Sequence, residues 1–102
     1  MAYIYEIPLY RFRKGLSFEE ARQAALDLNE FLKTAPGFKV RRTYYDRKAD
    51  IWIDVAEWET MEHAMQGLEG FAKSESFGRF MKLADPGFNL MHHAELIDVF
   101  AA

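Results

Sequence analysis

The 102-residue chain contains no cysteine. That absence removes disulfide frameworks, thiolate nucleophiles, zinc-finger spacing and iron–sulfur clusters together. It is also compatible with a reducing cytoplasm, the location expected for this chain. Excess positive charge is missing too. Thirteen Lys and Arg stand against sixteen Asp and Glu, a formal net charge of −3, which provides no general pull toward nucleic acid or an anionic membrane. The N-terminal stretch MAYIYEIPLYRFRKG has no positive segment ahead of an apolar one, and Glu6 interrupts its apolar run. No signal peptide or membrane span is therefore read. A glycine-rich phosphate loop, a G-x-S-x-G elbow and a carboxylate cluster with metal-ligand spacing are all lacking, so neither metal nor cofactor is expected.

Aromatic residues, by contrast, are plentiful: nine Phe, five Tyr and two Trp in a chain that is 50% hydrophobic. This is enough apolar surface to offset the entropy of folding, and the length suits one domain spanning residues 1–102. A domain of this size buries only about 60 to 70% of its unfolded surface. So many bulky rings point to a pocket, a partner surface, or both.

Residues 3–12, YIYEIPLYRF, alternate as a strand, and Pro8 predicts a bulge or an unpaired side there. Ser17 and Glu20 form an S-x-x-E capping box ahead of a helix whose apolar face is Phe18, Ala21, Ala25, Leu28 and Leu32. Pro36 and Gly37 end it. FKVRRTYYD (38–46) and IWIDVAEW (51–58) read as two strands joined by a hairpin at Arg47–Asp50. Thr60 caps a second helix that breaks between Gly70 and Ser74, with a shorter helix carrying Phe77, Phe80, Met81 and Ala84 behind the break. After an Asp85-Pro86-Gly87 turn, residues 88–100 form the last strand.

The order βαββαβ predicts an α+β, ferredoxin-like domain: a four-stranded antiparallel sheet with its helices on one face. Its strands are apolar on both sides, with Trp52, Ala56 and Trp58 pointing one way and Ile51, Ile53 and Val55 the other. The second face needs a cover, and another copy of the sheet supplies it, so a homodimer is predicted.

In this plan, and in the stretch VAEWETMEHAMQGLEGFAKSESFGRFMKLAD, the chain resembles the dimeric α/β-barrel superfamily, in particular antibiotic-biosynthesis-monooxygenase-like domains. The resemblance covers nearly the whole chain in element order. It implies a small cofactor-independent oxygenase of quinols or polycyclic aromatics, with haem-degrading enzymes as another branch. Trp58 matches the tryptophan that ends the third strand in that branch. The first-strand asparagine is absent at Glu6, Ile7 and Pro8, and the helical histidine is replaced by Phe80 and Met81. Haem degradation is disfavoured accordingly.

A cofactor-free oxygenase needs a base, a dry pocket and donors for developing charge. Histidine is the side chain suited to be that base near neutral pH. His63, in the first turn of the second helix just after Trp58, and His92 are the catalytic candidates. The competing role for His63 is an exposed capping partner. His92 and His93 are adjacent on a strand and so point to opposite faces, which prevents them from chelating one metal. Tyr5, Tyr44, Trp52 and Trp58 are the candidate substrate-binding residues, since whichever of them share the helix-facing side would wall a pocket for a planar hydrophobic molecule. Asp54 is the odd polar residue in an apolar strand and calls for a cross-strand partner, Arg41 or Arg42.

Two alternatives come from different classes. One is a non-catalytic dimer of the same fold that binds a small molecule or offers an interaction surface. The other is RNA recognition, which shares the βαββαβ order. IWIDVAEW, however, places Ile53 and Val55 where stacking rings belong, and the basic patch Arg41, Arg42, Arg47 and Lys48 reads as a solvated hairpin.

Overall fold

The computed structural model describes residues 3–102. Its elements run β1 (Ile4–Phe12), α1 (Phe18–Leu32), β2 (Phe38–Asp46), β3 (Ile51–Trp58), α2 (Met61–Ala72), α3 (Glu75–Leu83) and β4 (Ala84–Glu95). This is the predicted βαββαβ order with the second helix in two pieces. The strands form one antiparallel sheet in the order β2-β3-β1-β4. No helix among the described residues is long and apolar enough to cross a membrane.

Each helix starts where a hydroxyl satisfies an otherwise free backbone N–H. The Ser17 side chain accepts from the Glu20 N–H while Glu20 accepts from the Ser17 N–H, completing the capping box of α1. Thr60 caps α2 and Ser74 caps α3 in the same way. The break between α2 and α3 therefore falls at Lys73 and Ser74, at the end of the predicted window. There the Ser74 hydroxyl donates to the Phe71 carbonyl and also accepts from the Phe77 N–H.

Two expectations about the strands change. The last strand begins at Ala84, which opens β4 instead of extending the short helix, and ends at Glu95, rather than spanning 88–100. Asp85-Pro86-Gly87 does turn, with Asp85 Oδ1 accepting from the Gly87 N–H at 2.8 Å, but it does so as an irregularity inside β4. Partners jump from Tyr10↔Asn89 to Phe12↔Ala84 across it. Pro8 lies in a central strand with no bulge. It keeps its partner Met91 on β4, while the pairing with β3 lapses between Glu6↔Ala56 and Leu9↔Ile53. A residue without an N–H leaves one side unpaired.

Strand alternation divides the sheet into two unlike faces. Along β3, Trp52, Asp54, Ala56 and Trp58 are buried toward the helices, while Ile51, Ile53, Val55 and Glu57 remain only partly covered. The packed side holds two apolar clusters. Tyr10, Phe12, Ala21, Ala24, Ala25 and Trp52 form one; Ile4, Ala56, Trp58 and Ala64 form the other. The functional question concerns what lies between them.

Candidate functional site

Between the clusters, the helix-facing positions of the strands are Glu6 and Pro8 on β1, Arg41 on β2, Asp54 on β3, and Asn89 and Met91 on β4. They line a cavity of about 200 Å³, roofed by Leu28, Phe31 and Leu32 of α1, Leu68 and Phe71 of α2, and Phe77, Phe80 and Met81 of α3. The helices thus contribute apolar side chains, and every charged group of the wall comes from the sheet. An apolar hollow with a few convergent polar groups is the usual form of a small-molecule site.

Asp54 and Arg41 supply the first polar group. Arg41 donates to Asp54 Oδ2 at 2.6 Å, and each side chain is only 4% exposed. The Tyr10 hydroxyl donates to Asp54 Oδ1 at 3.0 Å and Oδ2 at 3.2 Å. Arg41 also reaches the Ala25 carbonyl and Asn29 Oδ1 on α1, which ties the helix to the sheet. Burial pushes the Asp54 carboxyl above the ordinary carboxylate range, against the opposing pull of the Arg41 guanidinium. Burial, with Asp54 beside it, likewise drives the Tyr10 phenol well above its usual range. Both Asp54 oxygens are occupied, so this group is a braced ion pair. The sequence expectation of a cross-strand partner resolves onto Arg41; Arg42 faces the other way, opposite Val55.

Glu6 supplies the second. It is 8% exposed, lines the cavity and sits opposite His93 on β4. His93 Nε2 lies 2.8 Å from Glu6 Oε2. The other oxygen, Oε1, makes no hydrogen bond among the described residues.

Trp58 is the third. It lines the cavity, is 1% exposed, and its Nε1 has no hydrogen-bond partner among the described residues. An unpaired buried donor costs about 1 to 3 kcal/mol, and such groups in folded proteins call for an explanation. The indole is wedged in place: a Cβ added at Gly67 of α2 would overlap Trp58 Cη2, so only glycine lets the helix sit this close to the ring.

The four aromatic candidates are split by register. Trp58 lines the cavity, while Trp52 is buried in the far cluster, tilted against Tyr45 with ring centroids 4.6 Å apart. Tyr5 and Tyr44 alternate onto the opposite face, Tyr44 opposite Ile53 and 52% exposed. Neither catalytic histidine candidate lines the cavity. His63 is the third residue of α2, and its Nδ1 lies 2.8 Å from the Thr60 hydroxyl that caps the helix. It also packs on Gly37, whose φ of +79° and lack of a side chain leave room for the ring. His92 stands opposite Ile7, on the face away from the helices. Of the adjacent pair, His93 turns toward the helices. Among the described residues no cluster of three or more metal-ligating side chains forms.

Comparison with known proteins finds the fold repeated. SnoaB, a cofactor-independent oxygenase from Streptomyces nogalater, is 13% identical, with 99% of this chain and 97% of that chain covered and a TM-score of 0.69. A candidate antibiotic biosynthesis monooxygenase from Bordetella bronchiseptica is 21% identical over 95% of this chain and 99% of that one, TM-score 0.70. A dimeric ferredoxin-like protein of unknown function from Thermobifida fusca is 12% identical over 93% of this chain and 92% of that one, TM-score 0.72. The chain is therefore an α+β protein with the ferredoxin-like fold found in antibiotic-biosynthesis-monooxygenase-like proteins. No protein-family model and no curated protein matches its sequence.

Proposed function

We propose that the cavity binds a small planar phenol or quinol and that the protein oxygenates it without a cofactor. The observation that carries this reading is the cavity itself, lined with apolar side chains by the helices and with the Glu6 carboxylate and the Arg41–Asp54 pair converging on it from the sheet. The chemistry asks for little else. A base in the wall takes the hydroxyl proton, and the electron-rich anion that results reduces dioxygen itself, one oxygen atom ending as a ring carbonyl and the other leaving as water. The shared fold of SnoaB supports the reading. Size narrows it: a dry cavity of about 150 Å³ accommodates benzene, so about 200 Å³ suits one or two fused rings.

The same proposal includes a homodimer formed through the sheet face turned away from the helices. Tyr5, Ile7, Leu9, Ile51, Ile53 and Val55 are only partly covered there, and Leu90 is 48% exposed. The dimeric Thermobifida neighbour supports dimerisation. A cytoplasmic location belongs to the proposal and is checked by cell fractionation. Nucleic acid is not a proposed partner, because Arg41 is buried in its ion pair and the Arg47 guanidinium lies 4.7 Å from the centre of the Phe18 ring. The basic patch read from the sequence is thereby reduced.

Oxygen uptake with a panel of mono- and bicyclic quinols tests the activity. Turnover should be lost in Leu68→Trp, whose larger side chain fills the cavity from its roof. His63→Ala and His92→Ala should leave it unchanged, and a loss in either would return the base to that histidine. No uptake with any quinol, together with a ligand-induced rise in Tm, would leave a binding protein without catalysis.

A further inference from the structure

The cavity has two carboxylates in its wall, and they are not equivalent. Asp54 has both oxygens engaged, by the Tyr10 hydroxyl and the Arg41 guanidinium. Glu6 has Oε2 held by His93 at 2.8 Å and Oε1 without a hydrogen bond among the described residues. The side chain is buried, and it cannot swing freely while His93 holds one oxygen. We propose that Glu6 selects the ligand, taking molecules that present a hydroxyl hydrogen to Oε1 and rejecting analogues in which that hydrogen is replaced by a methyl group. This deepens the reading of the cavity as a phenol site and rests on it.

The cost of filling the cavity is asymmetric. An empty cavity lets solvent reach Glu6; a bound apolar ring expels that solvent. A hydroxyl on the ring replaces it with a charge-assisted hydrogen bond, which is worth about 1.5 to 3 kcal/mol. A methyl ether offers no donor and leaves a charged oxygen buried and unpaired. No hydrogen bond among the described residues reaches Oε1: Tyr10, Arg41 and Asp54 bond to one another, Asn89 makes none to it, and the helices bring only apolar side chains to the wall. His93 acts as a positioning residue. Its Nε2, 2.8 Å from Oε2, holds that oxygen and leaves Oε1 available.

The test is a matched pair of probes, beta-naphthol and its methyl ether, with binding followed by calorimetry and tryptophan fluorescence. The wild-type protein should prefer the naphthol by about tenfold to a hundredfold, the range set by one hydrogen bond to a charged group. Glu6→Leu should abolish or reverse that preference while still binding the ether. Glu6→Gln, which keeps shape and an acceptor oxygen but loses charge, should retain a reduced preference. His93→Ala should lower the ratio of the two affinities and His93→Gln restore part of it; a purely structural role would shift both affinities together. Equal binding of the two probes by wild type, or an unchanged preference in Glu6→Leu, overturns the role of Glu6 and leaves the cavity reading standing. Binding of neither probe overturns both.

Discussion

On the face turned toward the helices the sheet carries Glu6, Arg41, Asp54 and His93; on the face turned away it carries Ile7, Leu9, Ile53 and Val55. The covered face thus carries its charges as close pairs beneath the helices, while the outer face joins these aliphatic residues to Arg42, Glu57 and His92. The covered face tolerates its charges because each has a partner, and unpaired they would be expensive. The uncovered face has no such compensation, and a contiguous apolar surface on a folded protein marks a place where something else sits. The difference teaches that the two faces are built for separate work, which the proposed function assigns as ligand recognition inside and association with a second copy outside.

The largest expected effect comes from breaking the outer face. Ile53→Lys places a charge amid Ile7, Leu9 and Val55 without touching the helix side. Light scattering at tens of micromolar should show a dimer for wild type and a monomer for the variant. A wild-type monomer would remove the assigned role of the outer face. Breaking the inner face is next in size. Asp54→Ala strands the buried Arg41 guanidinium and should cost about 3 to 5 kcal/mol in urea unfolding. The double replacement Asp54→Leu with Arg41→Met should cost clearly less, because no charge is then left alone.

The smallest effect sharpens the contrast between a covered carboxylate and an exposed one. Glu20, on the surface, is held below the usual carboxylate range by the Ser17 backbone N–H that it accepts. It binds its proton less tightly folded than unfolded, so its contribution is present above the unfolded value and is lost as pH falls through the folded one. Asp54, raised by burial, has the opposite sign, and its contribution is lost as pH rises from the unfolded value through the folded one. Glu20→Gln should therefore flatten the acid side of a plot of Tm against pH.

Much of the fold is legible in the sequence because period-two alternation and Ser or Thr caps are local signals. IWIDVAEW announces β3 and its two faces, and Ser17 with Glu20 announces α1. The start of β4 is not legible, since Asp85-Pro86-Gly87 has the same composition whether it separates elements or bends one strand. The site is harder still. Trp58 can be singled out by position, but which of Tyr5, Tyr44 and Trp52 shares its face depends on register across strands. Glu6 does leave a mark, a charge inside an aromatic and aliphatic run. Its meaning depends on His93, which lies 87 positions away in sequence, and no single-sequence pattern links residues that far apart.

The contact between Gly67 and Trp58 also bears on how this protein can change over time. A helix with glycine in its interior gives up about 1 kcal/mol relative to alanine, and here that concession keeps the tip of the indole seated against α2. Neither position can drift alone. A side chain at 67 would drive the ring out, and a smaller ring at 58 would leave an empty space under a glycine that no longer has a reason to be there. The two sites form a single unit of inheritance, and descendants of this sequence that bind differently shaped ligands should be found to have altered both.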